Sequence, residues 1–154
     1  MRLATLSLLI AGALAAPASK HCSPIVSGKT LQVESAGHTY PVGFTKLLCQ
    51  RDAPRLTLTD EHANKTFSLY ACGERLVNDD TDYCVTISLG GNMYGSQDGS
   101  LSMQPCMDSG DVHERQRFAL RDGHIAFAER SAVKLDDGAI ALTAGEAKQV
   151  LKLA

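Results

Sequence analysis

Cys84-Val85-Thr86-Ile87, then Leu101-Ser102-Met103-Gln104-Pro105-Cys106, then Arg115-Gln116-Arg117-Phe118-Ala119-Leu120 follow one another in the middle of the chain. The first two runs alternate apolar and polar residues, the period of a half-buried strand. Each carries a cysteine at one end, where two neighbouring strands could be stapled. A Gly/Asn/Ser-rich loop separates them, and a Gln-x-aromatic step follows. The stretch therefore predicts a strand–loop–strand–turn–strand unit.

Working outward, the same shapes recur. Pro24-Ile25-Val26, Arg75-Leu76-Val77 and Gly123-His124-Ile125 each open a unit. Thr30-Leu31-Gln32-Val33, Cys84-Val85-Thr86-Ile87 and Ala132-Val133-Lys134-Leu135 each follow as a second strand. Leu56-Thr57-Leu58, Leu101-Ser102-Met103 and Ile140-Ala141-Leu142 make a third. Lys65-Thr66-Phe67-Ser68-Leu69, Gln116-Arg117-Phe118-Ala119-Leu120 and Gln149-Val150-Leu151-Lys152-Leu153 make a fourth. An offset of roughly fifty residues signals an array of supersecondary units. Three four-stranded units, none able to bury its apolar face alone, are expected to close on one another. Phe44 to Leu48 reads as a further short strand, and residues 34–41, which hold Gly, His and Pro, read as a loop. Nothing sustains a helical spacing over several turns; residues 144–153 can be drawn as a helix, which Gly145 weakens.

The 154 residues allow one domain with one core. A net charge of −2, with basic residues scattered, argues against nucleic-acid and anionic-membrane partners. With no tryptophan and few aromatics, the core must be built from Leu, Val, Ile and Ala, and cross-links would help. Residues 1–18 carry one positive charge, an apolar run and small residues at Ala13-Leu14-Ala15 and Ala16-Pro17-Ala18. That is the pattern of a secretory signal peptide, leaving residues 19–154 as the mature domain. The expected location is secreted, extracellular or cell-wall associated. Cys22, Cys49, Cys72, Cys84 and Cys106 then meet an oxidising environment, where structural disulfides are the default and an odd cysteine remains. None is spaced as C-x-x-C, so zinc and redox roles find little support.

Cys-Val-x-Ile, then x-Pro-Cys, then Gln-x-Phe-x-Leu resembles the ricin-B-type lectin family, whose fold is the β-trefoil: all-β, three four-stranded units about a pseudo-threefold axis. The likeness is sharp in the middle unit, at Cys84, Pro105-Cys106 and Gln116-x-Phe118, and rests on strand pattern in the outer two. The family's Gln-x-Trp is Gln-x-Phe here; Lys65-Thr66-Phe67 lacks the Gln, and Gln149-Val150-Leu151 lacks the aromatic. The resemblance implies a Cys84–Cys106 disulfide within the middle unit and a Cys22–Cys72 bridge between neighbouring strands, with Cys49 the odd one.

The family binds galactose-type sugars with a carboxylate, a stacking aromatic and an Asn-Gln pair. The carboxylate position matches Gln32, Thr86 and Lys134; the middle unit's aromatic position matches Gln104, and its Asn-Gln pair reads Arg115-Gln116. The galactose site is thus largely degenerate. The carbohydrate-binding candidates are Thr86, Tyr94 (a replacement stacking face), Gln104, Arg115 and Gln116, with a structural role for Gln116 the stronger expectation. Asp136-Asp137-Gly138 reads better as a turn than as a displaced carboxylate site.

Other chemistry is thinly supported. Asn78-Asp79-Asp80-Thr81-Asp82 lacks the spacing of a calcium loop and reads as a solvated turn. His21, His38, His62, His113 and His124 are dispersed, and neither H-E-x-x-H nor G-x-S-x-G occurs. An enzyme, a metal and a cofactor are therefore not expected. Asn64-Lys65-Thr66 is an N-glycosylation acceptor. The expected function is glycan or glycoprotein binding. The alternative is a protease inhibitor or effector that contacts another extracellular protein through residues 34–43 or 90–99.

Overall fold

The computed structural model of the chain describes residues 22–44, 54–60, 63–90 and 98–154. The expected signal peptide (1–18), Cys49, Tyr94 and the strand continuing to Leu48 lie outside the described residues. Among the described residues twelve strands run in chain order: β1 (Pro24–Ser35), β2 (His38–Phe44), β3 (Leu56–Leu58), β4 (Thr66–Tyr70), β5 (Arg75–Asn78) and β6 (Tyr83–Ile87). Then follow β7 (Leu101–Pro105), β8 (Ala119–Arg121), β9 (His124–Ala126), β10 (Ala132–Asp136), β11 (Ala139–Thr143) and β12 (Gln149–Leu153). A five-residue helix, α1 (Gly110–Glu114), joins β7 to β8. With 58% strand and 6% helix among the described residues, the protein is all-β.

The expected β-trefoil is not what the strands build. They form a closed six-strand antiparallel barrel with six further strands attached. The ring runs β1, β2, β3, β11, β10, β12 and is closed by the β12–β1 ladder. All six ring strands belong to the first and third of the expected units. The middle unit supplies none: β4, β5, β6 and β7 extend from β1 as one arm, and β9 and β8 extend from β12 as another. Three equivalent units would need β5 laddered to β8, yet the two regions are joined by an isolated Arg75–Arg117 bridge, with the Phe118 amide donating to the Glu74 carbonyl, rather than by a ladder. The physical reason is that short alternating runs prescribe which residues face inward but carry no code for which edge they join.

Alternation did place the apolar residues. Leu31 and Val33 of β1, and Leu101 and Met103 of β7, are buried while the residues between them are not. They join Leu56, Phe67, Leu69, Leu76, Val85, Ile87, Ile125, Ile140, Leu142 and Leu151 in one core. Phe118 is fully buried, its ring centroid 5.7 Å from that of Phe127.

Several local expectations change. Residues 24–26 and 30–33 belong to one strand, irregular between Pro24 and Lys29. Residues 34–41 form a hairpin rather than a loop, because Ala36 (φ 48°) and Gly37 (φ 80°) make a two-residue turn of the kind that matches strand twist. Asp137 (φ 47°) and Gly138 (φ 78°) do the same between β10 and β11, as the turn reading of Asp136-Asp137-Gly138 expects. Residues 149–153 are strand, since Leu151 and, two residues on, Leu153 pack on the core and β12 closes the ring. Gln116 precedes β8 rather than lying on a strand.

Both implied disulfides form. Cys22 and Cys72 are bonded with Cα atoms 5.8 Å apart, and Cys84 and Cys106 with Cα atoms 5.0 Å apart. The first ties the start of β1 to the end of β4, its antiparallel neighbour. The second joins the paired ends of β6 and β7.

Candidate functional site

The middle stretch positions its polar residues by strand register. On the β6–β7 ladder Cys84 lies opposite Gln104, and Thr86 opposite Ser102. Residues two apart share a face, so Gln104 and Ser102 sit on the side of Thr86. The Gln104 amide donates to the Ser102 hydroxyl at 3.3 Å.

Over that face the chain returns through α1. Gln116, just beyond the helix, is fully buried. Its Nε2 donates to Thr86 Oγ1 and to the Pro105 carbonyl, each at 2.9 Å, while its Oε1 accepts from the Met107 amide at 2.9 Å. Thr86, equally buried, donates in turn to the Cys84 carbonyl at 3.2 Å. Both side chains thus spend their hydrogen bonds inside the protein and form the brace of the site. Arg115 and Gln104 are only half-buried. Arg115 Nε reaches the Asp111 carbonyl at 3.3 Å, and its Nη1 the Ile87 carbonyl at 3.5 Å.

Gln104 and Arg115 line a cleft of about 500 Å³ with Ser88, Leu89, Gly90, Asp111 and Glu114. Of the five sugar-binding candidates, the structure brings Gln104 and Arg115 to this cleft and puts Thr86 and Gln116 out of solvent contact behind it. Tyr94 lies outside the described residues. Asp111, Glu114 and Ser88 were not nominated. The first two carry a readable signal, because Asp111, Glu114 and Arg115 follow Ser109-Gly110 at the spacing of one helical face. Ser88 and the half-exposed Leu89 had none: they come to the cleft through a backbone bond of Ser88 to Ser100 at 2.9 Å.

Behind the helix lies a buried cation. Arg75 is 5% exposed. Its Nη1 meets Asp108 Oδ1 at 2.9 Å and its Nη2 meets His113 Nδ1 at 2.8 Å, whereas its Nε is buried with no partner among the described residues. Burying a guanidinium requires such partners, since desolvation is otherwise uncompensated.

The remaining nominations resolve simply. Asn64 is exposed on a turn. In the acidic run, Asn78 is fully buried, donating to the Thr66 carbonyl and accepting from Thr81 N and Oγ1. Asp79 accepts from Ser68 at 2.7 Å and Asp80 pairs with Lys65 at 2.7 Å. The run is therefore a turn held by internal bonds. Among the described residues no three His, Cys, Asp or Glu are grouped to hold a metal ion. No protein-family model matches the sequence, and no curated protein is significantly similar to it.

Proposed function

We propose that this is an extracellular carbohydrate-binding protein and that its contact surface is the cleft between β7 and α1. The observation that carries the reading is the lining: an amide (Gln104), two carboxylates (Asp111, Glu114) and a guanidinium (Arg115) beside the exposed aliphatic face of Leu89. Sugars present rings of hydroxyls that both donate and accept, with patches of C–H between them. They are held by a few fixed planar polar groups against an apolar surface. The brace beneath, Thr86 and Gln116, keeps two walls of the cleft in fixed relation, which lowers the entropic cost of binding. Two disulfides are compatible with an extracellular location, and Asn64 is placed to carry a glycan of its own.

Glycan-array screening of the mature chain, followed by calorimetry on the best ligand, is the test. Q104A and E114A should each weaken binding about tenfold, the scale of one lost hydrogen bond to a charged or fixed polar group, at unchanged stability. Absence of binding to any galactosyl or cell-wall sugar would remove the reading. Sub-micromolar inhibition of a protease would favour a protein-contact role instead.

A further inference from the structure

One ring nitrogen in this protein lies between a donor and an acceptor, and it can serve only one of them at a time. His113 Nδ1 is 2.8 Å from Arg75 Nη2 and 3.0 Å from the Met107 carbonyl oxygen. A guanidinium only donates and a carbonyl only accepts. An unprotonated Nδ1 accepts from Arg75 and offers the carbonyl nothing. A protonated Nδ1 donates to Met107 and has no lone pair for Arg75. The choice between partners is made by a proton.

We propose that His113 and Arg75 form a proton-operated latch on the segment bearing the cleft wall. With the ring neutral and its proton on Nε2, Nδ1 accepts from Arg75 and ties α1 to β5. When the ring takes a second proton, the Arg75 contact is lost and two cations face each other. The charged groups around His113 are Arg75 from β5 and Asp108 from the β7–α1 connection, with Asp111 and Glu114 on its own helix. Asp108 is the carboxylate bonded to Arg75, but its side chain is 66% exposed, so solvent screens what it offsets. Arg75 already has Nε buried with no partner among the described residues; losing the acceptor at Nη2 would leave a second donor of a buried cation unserved, which is costly. Relief comes from the lighter side. The helix is five residues long and buries none of them, so it moves before β5 does.

The latch operates whatever the cleft binds. Because Asp111, Glu114 and Arg115 ride on the same segment, any ligand held there would be released on acidification. The direction follows from the donors and acceptors: closed with the ring neutral, open once it is doubly protonated.

Three amides report on it, those of Met107, Arg115 and Gln116, bonded to Gln116 Oε1 and to the carbonyls of Asp111 and His113. Hydrogen exchange of the ligand-free protein, normalised to intrinsic rates, should show their protection falling roughly tenfold or more from pH 8 to pH 5, the scale of one hydrogen bond to a charged group. The amides of the β1–β12 ladder should hold. H113N, whose amide oxygen can accept from Arg75 and does not titrate, should abolish the fall. Nitrogen NMR of the wild-type ring at pH 8 should find Nδ1 without a proton. A flat wild-type profile, an unchanged pH dependence in H113N, or a proton on Nδ1 at pH 8 would each overturn the latch.

Discussion

Gln116 shows how much one side chain can hold. Its amide joins three segments: the Met107 turn, the end of β7 at Pro105 and the middle of β6 at Thr86. Replacing it with leucine keeps the volume but takes the partner from the partly buried Met107 N–H and Pro105 carbonyl and from the buried Thr86 hydroxyl. Each buried group so stranded costs about 1–3 kcal/mol. We expect Q116L to lose about 3 kcal/mol or more of unfolding free energy, read as a lower denaturant midpoint. A loss within about 0.5 kcal/mol would mean that water replaces the amide. Glycine 99 illustrates a different constraint. With φ at 84° and the Leu142 carbonyl only 2.2 Å from where a Cβ would stand, no larger residue fits where the chain enters β7.

Between elements, two kinds of tie are at work. The Cys84–Cys106 bond closes a loop of 22 residues, and Cys22–Cys72 one of 50. On the loop-entropy model the two restrict the unfolded chain by about 3 and about 4 kcal/mol. C84S/C106S should therefore lower stability by about 3 kcal/mol, and C22S/C72S by somewhat more, in equilibrium denaturation. The reverse order would point to strain rather than chain entropy. The other tie is ionic. Lys152 of β12 pairs with Glu34 of β1, a diagonal pair across the ladder that closes the ring. The hydrogen bond from Lys152 and then its charge, with a smaller contribution from His124, hold the Glu34 carboxyl below the usual glutamate range. A carboxyl depressed in the folded state stabilises the fold above its unfolded value and loses that contribution as pH falls through the lower folded one. E34Q should remove this part of the acid limb, lowering stability slightly at pH 7 and not at all at pH 2. Equal losses at both pH values would show that the pairing of charges is not the cause.

At the scale of the whole molecule, closure is the governing fact. The core draws on the ring strands (Leu31, Val33, Leu56, Ile140, Leu151) and on both arms (Phe67, Leu76, Val85, Met103, Ile125). Neither arm has an apolar face left to pack by itself, so the parts should not unfold separately. We expect backbone circular dichroism and tyrosine fluorescence to follow one coincident transition in denaturant. A resolved early step in the fluorescence would show that the β4–β7 arm comes away from the ring.

The sequence by itself determined the strand class, the inward residues, both disulfide pairs through the family likeness, and the turn at Asp137-Gly138. Those properties are local: alternation sets faces, and a positive φ selects glycine and its neighbours. It also marked Gln104 and Arg115, while Gln116, the one unchanged position of the family pattern, and Thr86 lie behind the cleft. Which edges pair was settled in three dimensions, and one ring with two arms stands where three four-stranded units were expected. Only the tertiary structure seated Asp111, Glu114 and Leu89 beside Gln104, and set His113 between Arg75 and Met107. The physical reason is that a strand's unpaired edge offers the same backbone groups to every neighbour. Which neighbour it takes is settled by the burial of the complete chain, a sum that no short stretch contains.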